Sequence, residues 1–452
     1  MYRQKYDLIV VGSGSGGVPA AIAAARKGLK VLLIEKNAQI GGLLVSGLPL
    51  LAFLDRSGNT VVKGIAQEII DRLVEVGGAN GHIRSPILNS MTHVKNTWMS
   101  IILFEMCEQE ENLDVLLYAE LKSVKVDNGK VKGVSVFCRG EEMFYESDYI
   151  IDATGDACVA YKAGARYEKG NANGKGMQPP TITFELGNVD YDKFLHYLAE
   201  HPEAYKLPDT FPGIEQNLDF FVNNKCFSIM GFSDIVKEGR KTGEYTIPRN
   251  MIDISKQIGG EAFVNVTRSI DTDVTDFESV IKAEFLCHKQ VKELVPFMKK
   301  YIPGFENAQL VSIIPFLGVR ESRRIVGKKQ LTLENIKNLE IPDDTVAIAG
   351  YNVDIHSPDS EAMYMMPVKH GIGIPFGCLV PETVEGLLMS GRTISVDQNA
   401  FAMIRVMPTC MAVSQAAGTA MAIAYKHGVL PSEIDVQELR MELKKDGCII
   451  EL

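Results

Sequence analysis

Six residues near the amino terminus, Gly12-Ser13-Gly14-Ser15-Gly16-Gly17, separate an apolar run, Leu8 to Val11, from an alanine-rich stretch of helical character. Glycines in that context bind phosphate. Gly12 makes the tight turn, Gly14 lets backbone approach a pyrophosphate, and Gly17 lets the helix pack on the strand, with Ser13 and Gly16 completing a loop whose helix-start amides face the anion. Glu35 closes a second apolar run, Val31 to Ile34, close to the ~20-residue spacing of the acid that accepts a ribose hydroxyl hydrogen bond. A carboxylate there repels a 2′-phosphate, so the residues describe a site for NAD or FAD and not NADP.

The elements that must hold this site follow from periodicity. Helical spacing marks Gly64 to Val76 and Met99 to Glu111, and a buried strand runs from Asp114 to Tyr118. Alternation in Ser123 to Val126 and Lys130 to Phe137 flanks Asp127-Asn128-Gly129, a tight-hairpin turn, and Tyr149 to Ala153 reads as the strand leaving this meander. Asp156 is expected to cap a helix beginning at Ala157. Strands at Thr181 to Leu186, Tyr245 to Ile254 and Ala262 to Val266, with helices at Tyr191 to Ala199 and Phe277 to Tyr301, form a block without a second glycine fingerprint. Buried strands at Val346 to Ala349 and Leu387 to Ser390 and a small-residue helix from Met407 to Lys426 then return to the first unit. The fold expected is α/β: a doubly wound, Rossmann-like dinucleotide domain with a β-meander, discontinuous over 1–176 and 345–452, and an inserted α+β substrate or cap domain over 177–344.

Composition narrows the class. The chain has 452 residues, 46% of them hydrophobic, enough for a large core, and its net charge of −10 repels a polyanion, so nucleic acid is not expected as a partner. Eight cysteines are scattered without a C-x-x-C pair, so no metal site is expected and the thiols read as buried apolar residues. The apolar stretches are too short or too polar to span a bilayer, and the first strand leaves no room for a signal peptide. A cytoplasmic location without membrane association is the expectation, and the oligomeric state stays open.

Three further features specify the dinucleotide. Gly41-Gly42 follows Glu35 by six positions, Ala153-Thr154-Gly155-Asp156 ends a strand, and Leu387 to Arg392 precedes Ile404 to Cys410 and a helix. Together they resemble the FAD-dependent oxidoreductases of the glutathione-reductase-2 type, distantly akin to fumarate-reductase flavoproteins. Gly318 to Gly327, Val353 to Pro358, Cys378 to Pro381 and Arg405 to Met411 carry the likeness along nearly the whole chain, while Asp397 to Ala402 departs from the family's His-Glu-Ala-x-Gly-Ser. The resemblance implies FAD, held by Gly12, Ser13, Gly14, Gly16, Gly17, Glu35, Lys36, Gly41, Gly42, Leu43, Leu121, Thr154, Gly155, Asp156, Gly391, Arg392, Arg405, Pro408 and Thr409. Pro408 marks a helix start, and in related flavoproteins such a start faces the flavin pyrimidine edge, where negative charge accumulates on reduction.

A flavin moves a hydride at N5, and the substrate's proton moves separately through a nearby His, Tyr or Arg. His356, Arg320, Arg405 and Tyr364 are the catalytic candidates, with Arg323 and His370 behind them. Along a strand Arg320 and Arg323 fall on opposite faces, and a buried ion pair with Glu321 is the structural alternative. Cys378 and Cys410 are too far apart for a dithiol mechanism. The expected activity is an FAD-dependent dehydrogenase or reductase acting on a small oxygenated or carboxylated metabolite. With one fingerprint only, a separate electron donor or acceptor is implied. A monooxygenase or halogenase is disfavoured by the single Trp98 and by Gly391-Arg392 where hydroxylases carry Gly-Asp. Acidity counts against a tRNA-modifying flavoprotein, and the His/Arg set against a non-catalytic flavin sensor.

Overall fold

A computed structural model describes residues 4–452. Five parallel strands lie in the order Leu387–Met389, Ile150–Asp152, Leu8–Val11, Val31–Ile34, Leu113–Leu116. The first four are buried at every position. Continuous apolar runs rather than alternation are what a sheet covered on both faces requires. Helices Val18–Arg26 and Met407–His427 cross on one face so closely that a Cβ at Gly418 would lie 2.2 Å from the Ala20 carbonyl oxygen.

The meander consists of Ala119–Asp127, Lys130–Cys138 and Glu141–Glu146. Its first turn has positive φ at Asn128 (50°) and Gly129 (80°), as a two-residue hairpin requires. The third strand is Glu141–Glu146, and the expected Tyr149 to Ala153 strand is instead Ile150–Asp152 of the parallel sheet. Exposed glutamates at both ends of Glu141–Glu146, Glu141, Glu142 and Glu146, leave it without an alternating apolar pattern in the sequence.

A second sheet is antiparallel, in the order Phe227–Gly231, Ile252–Lys256, Ala262–Val264, Phe184–Gly187, Gln309–Ile313. Helix Phe277–Tyr301 packs on it through Ala283, Cys287, Val291 and Leu294, and Asp276 caps it by accepting from the Ser279 amide. Of the expected Tyr245 to Ile254 strand only its end is extended sheet. Before that, Arg240 donates to the carbonyls of Ile247 and Arg249, taking groups a ladder would need.

Two main apolar cores result. One gathers residues from both ends of the chain, and the other runs from Ile182 to Leu317. Ile325, Leu331 and Ile336 belong to the first core. An antiparallel ribbon, Val353–His356 with Met363–Met366, gives Val353 to the first core and Met363 and Met365 to a small third cluster with Ile87, Phe211, Ile214, Met230 and Met251. Among the described residues no single helix is long and apolar enough to cross a membrane.

Candidate active site

The glycine turn is a trough walled by backbone. A Cβ built on Gly17 would lie 1.8 Å from the Gly12 carbonyl oxygen, one on Gly42 3.1 Å from Gly14 Cα, and one on Gly16 3.2 Å from Gly391 Cα. At Gly14 nothing lies nearer than 4.0 Å. Free space beside Gly14, at the start of helix Val18–Arg26, fits an extended pyrophosphate and leaves no room for side chains around it. Two hydroxyls that the sequence did not reveal hold the turn: Ser390 Oγ and Ser414 Oγ donate to the Gly16 carbonyl at 2.6 and 2.7 Å. Ser414 Oγ also accepts from the Ala20 amide. No local pattern marks serines so distant in the chain.

Glu35 is buried at the end of its strand. One carboxylate oxygen accepts from the Ser13 amide and hydroxyl (3.0 and 2.6 Å), the other from Asn37. A ribose hydroxyl here would share an oxygen already bracing the turn. Lys36 is exposed and Leu121 is buried in the meander; neither lines the cleft, whereas Leu43 does.

Asp156 does not cap the following helix. Ala157 takes the cap position with φ 54° and no side-chain bond, the Thr154 hydroxyl accepts from the Cys158 amide, and buried Asp152 accepts from Ala160. Asp156 instead faces Arg392 at 3.2 Å, over Gly155. Across the cleft, helix Met407–His427 starts with Pro408 in its first turn and no side-chain cap from Val406. Its first amides therefore lack intrahelical partners. Val406 and Met407 line the cleft, and the buried Thr409 hydroxyl has no partner among the described residues.

Arg392 also lines a cleft of about 1150 Å³, partly open to solvent, that lies along the seam between the two cores. Its deep wall is charged. Arg249, Arg320 and Arg405 line it together with Asp253, Asp354 and His356. Arg405 donates to the Asp354 carboxylate at 3.0 Å, and His356 Nε2 lies 3.4 Å from the same oxygen. Arg320 donates to the Pro179 carbonyl, and Arg249 stands 3.9 Å from Asp253.

Burial is the largest influence on His356, Asp354, Asp253 and Arg320. It holds His356 well below the ordinary histidine range, with Asp354 pulling back and Arg320 pushing further down. Burial alone would raise Asp354, but the cations around it, His356 when protonated, Arg405 and Arg320, more than reverse that. Asp354 is thus the ionised member of the pair and His356 the neutral one. Burial pushes Asp253 up to about 6 against Arg249 and Arg320. Arg320 is pushed down by burial and then by Arg405, Arg249 and Arg268. A guanidinium stays protonated in proteins, so that direction registers positive charge lacking a counter-ion.

The structure brings His356, Arg320 and Arg405 together and leaves Tyr364 out. Tyr364 lies on a strand, not on a loop, and strand alternation turns it away from the cleft, 43% exposed, while Met363 and Met365 face in. His370 does not line the cleft either. Arg320 and Arg323 sit in irregular backbone rather than a strand. Arg323 stacks over Tyr161 at 4.3 Å and donates to the Asp156 carbonyl, and Glu321 forms a buried pair with Arg324 at 2.5 Å. Burial pushes the Cys378 and Cys410 thiols up to about 12, the range of inert cysteine. Arg249 and Asp253 were missed because each reads in sequence as an ordinary strand charge.

The sequence model of the family described as FAD dependent oxidoreductase matches residues 7–443. A tRNA uridine 5-carboxymethylaminomethyl modification enzyme, MnmG, of Endomicrobium trichonymphae is 30% identical over 169 residues, 34% of this chain and 26% of that protein. Mitochondrial dihydrolipoyl dehydrogenase of Caenorhabditis elegans is 48% identical over 56 residues, 12% of this chain and 11% of that one. The match to these relatives spans about a quarter of their length or less. Among solved structures, a geranylgeranyl bacteriochlorophyll reductase-like protein of Thermoplasma acidophilum is 16% identical, with a TM-score of 0.47, covering 98% of this chain and 84% of the other.

Proposed function

The chain belongs to the FAD dependent oxidoreductase family, and from that premise we propose that it transfers a hydride between the flavin and a small carboxylated metabolite held in the charged cleft. One observation carries the substrate class. Four guanidiniums and two carboxylates line the cleft, and among the described residues the buried Arg249 Nε and Arg405 Nε find no acceptor. Buried unpaired donors are costly, by about 1–3 kcal/mol each, and an anionic ligand removes that cost.

FAD, when bound, supplies hydride chemistry at N5. The residues proposed to hold it are the Gly12 to Gly17 turn, Glu35, Gly41, Gly42, Leu43, Thr154, Gly155, Arg392 and the helix start at Met407, Pro408 and Thr409, which favours negative charge nearby. Arg320, Arg249 and Arg405 orient the carboxylate. His356 is neutral and can accept the substrate's proton at Nδ1, because Asp354 occupies Nε2 and stabilises the cation that forms. Leu48, Leu51 and Phe263 exclude water from the flavin side. We propose the division into a cofactor unit and an inserted cap on the strength of the two cores, with the cap running from about 177 only to Leu317 and its vicinity, since Ile325, Leu331 and Ile336 pack in the core of the cofactor unit. A separate electron partner follows from the single fingerprint.

A tRNA-directed reaction, of the kind for which the MnmG relatives are named, is the second reading. It rests on similarity to a third of this chain, and the net charge of −10 favours the small molecule. The deciding experiment mixes the flavoprotein anaerobically with a panel of hydroxy, amino and saturated carboxylic acids and with tRNA, following flavin bleaching. Bleaching by a carboxylic acid supports the proposal. Tight tRNA binding without response to any acid overturns it.

A further inference from the structure

The cleft wall changes chemistry across a single strand spacing. In the antiparallel ribbon Asp354 stands opposite Met365 and His356 opposite Met363, and all four line the cleft. Directly opposed residues share a face with Cβ atoms about 4.5–5.5 Å apart, so two thioethers lie beside the ionised and proton-accepting groups. The methionine side continues outward. Met363 and Met365 belong to the third apolar cluster with Met230, against which Leu88 packs, and Met230 and Leu88 also line the cleft. Met230 in turn stands directly opposite Asp253, so the apolar strip runs alongside the charged one rather than apart from it.

The charges bound what can sit there. Four arginines, Arg249, Arg320, Arg392 and Arg405, line the cleft against Asp253 and Asp354; Arg392 is matched by Asp156 at 3.2 Å, so with His356 neutral a single positive charge is left over, and one carboxylate matches it. A second carboxylate placed against the thioethers would be desolvated without a hydrogen-bond partner. An apolar substituent would gain the same burial. Methionine is unbranched and adapts to ligand shape, so such a wall tolerates substituents of varied size.

We propose that the substrate is an amphipathic monocarboxylate: its carboxylate meets Arg249, Arg320 and Arg405, and its aliphatic or aromatic substituent lies along Met230, Met363, Met365 and Leu88. This rests on the carboxylate reading of the cleft and specifies the other half of the molecule. Dicarboxylates are excluded as preferred substrates.

The test titrates the FAD-loaded protein with acetate, butyrate, hexanoate and phenylacetate, and with succinate and adipate, following both flavin absorbance and binding heat. The dissociation constant should fall about three- to fourfold per added methylene. Each dicarboxylate should bind at least tenfold more weakly than the monocarboxylate of equal length. Met365→Gln and, as an independent variant, Met230→Gln should flatten the dependence on chain length, a slope that a merely loosened fold would not selectively remove. A flat series, or stronger binding of succinate and adipate, overturns this inference and leaves the carboxylate reading standing. Binding of neutral amides of the same chains with no response to any carboxylate overturns both.

Discussion

Arg405 and Asp354 are joined twice, since Arg405 Nη2 donates to the Asp354 carboxylate at 3.0 Å and to its backbone carbonyl at 3.1 Å. One guanidinium thereby fixes both the charge beside His356 and the strand that carries it. The loop entering helix Met407–His427 is tied to the ribbon through this contact.

Arg405→Ala should therefore act on His356 before it acts on the flavin. It removes one of the charges that push the imidazole down and frees Asp354 to favour the imidazolium, so His356 should titrate closer to the ordinary histidine range. Loss of a partner from a buried pair should also cost about 3 kcal/mol of stability. Histidine proton NMR against pH and urea denaturation read the two effects. Arg405→Lys should restore part of the charge effect but not the double contact. An unmoved His356 titration would show that the two groups are not coupled.

Asp253 should make anion binding depend on pH in a definite direction. The unfolded state releases this proton near 4 and the folded state near 6, so the folded state binds more protons in between, and its stability falls as pH rises through that window. Below about 6 the neutral Asp253 leaves the cleft more positive, and an anionic ligand should bind roughly tenfold more tightly at pH 5 than at pH 7.5. Asp253→Asn should abolish the difference and raise stability at pH 7. Calorimetric titrations at the two pH values, with matched melting curves, test it.

Two neighbouring glycines should fail differently. A methyl at Gly14 meets nothing within 4.0 Å, so Gly14→Ala should fold normally and lose FAD, recovered as colourless protein with an intact circular dichroism spectrum. A methyl at Gly17 would lie 1.8 Å from the Gly12 carbonyl oxygen, so Gly17→Ala should lose the fold along with the flavin. Equal behaviour of the two would remove the distinction between trough and packing glycine.

Ser414→Ala should cost about 1–3 kcal/mol, since it leaves the buried Ala20 amide without its acceptor and weakens the hold on the Gly16 carbonyl. Ser390→Ala, which removes only one of two donors to that carbonyl, should cost less. Thermal melting of both variants, with and without added FAD, should show a larger loss for Ser414 in each case.

Legibility in the sequence followed the range of the forces involved. Helix Phe277–Tyr301 was readable to the residue because its cap and periodicity are local, and the glycine turn because only one residue type fits it. The strand Glu141–Glu146 was lost because the exposed glutamates at both its ends leave no alternating apolar pattern. The cleft was half visible: His356, Arg320 and Arg405 were found, while Arg249 and Asp253 acquire meaning only when the second sheet folds against the first. Tyr364 shows the same limit from the other side. Its chemistry suited the role, but the register of a ribbon that the sequence had not revealed points it outward.

The two hydroxyls on the Gly16 carbonyl also set an order of events during synthesis. Ser390 and Ser414 lie 374 and 398 residues further along the chain. At roughly 5–20 residues per second the turn waits about 20–80 seconds for them. Throughout that interval Leu8–Val11 and Val31–Ile34 have been made, but the strand Leu387–Met389, which closes one edge of their sheet, has not. Completion of the flavin site consequently waits until almost the whole chain has been made, and until then the half-sheet that precedes it stays uncovered along that edge.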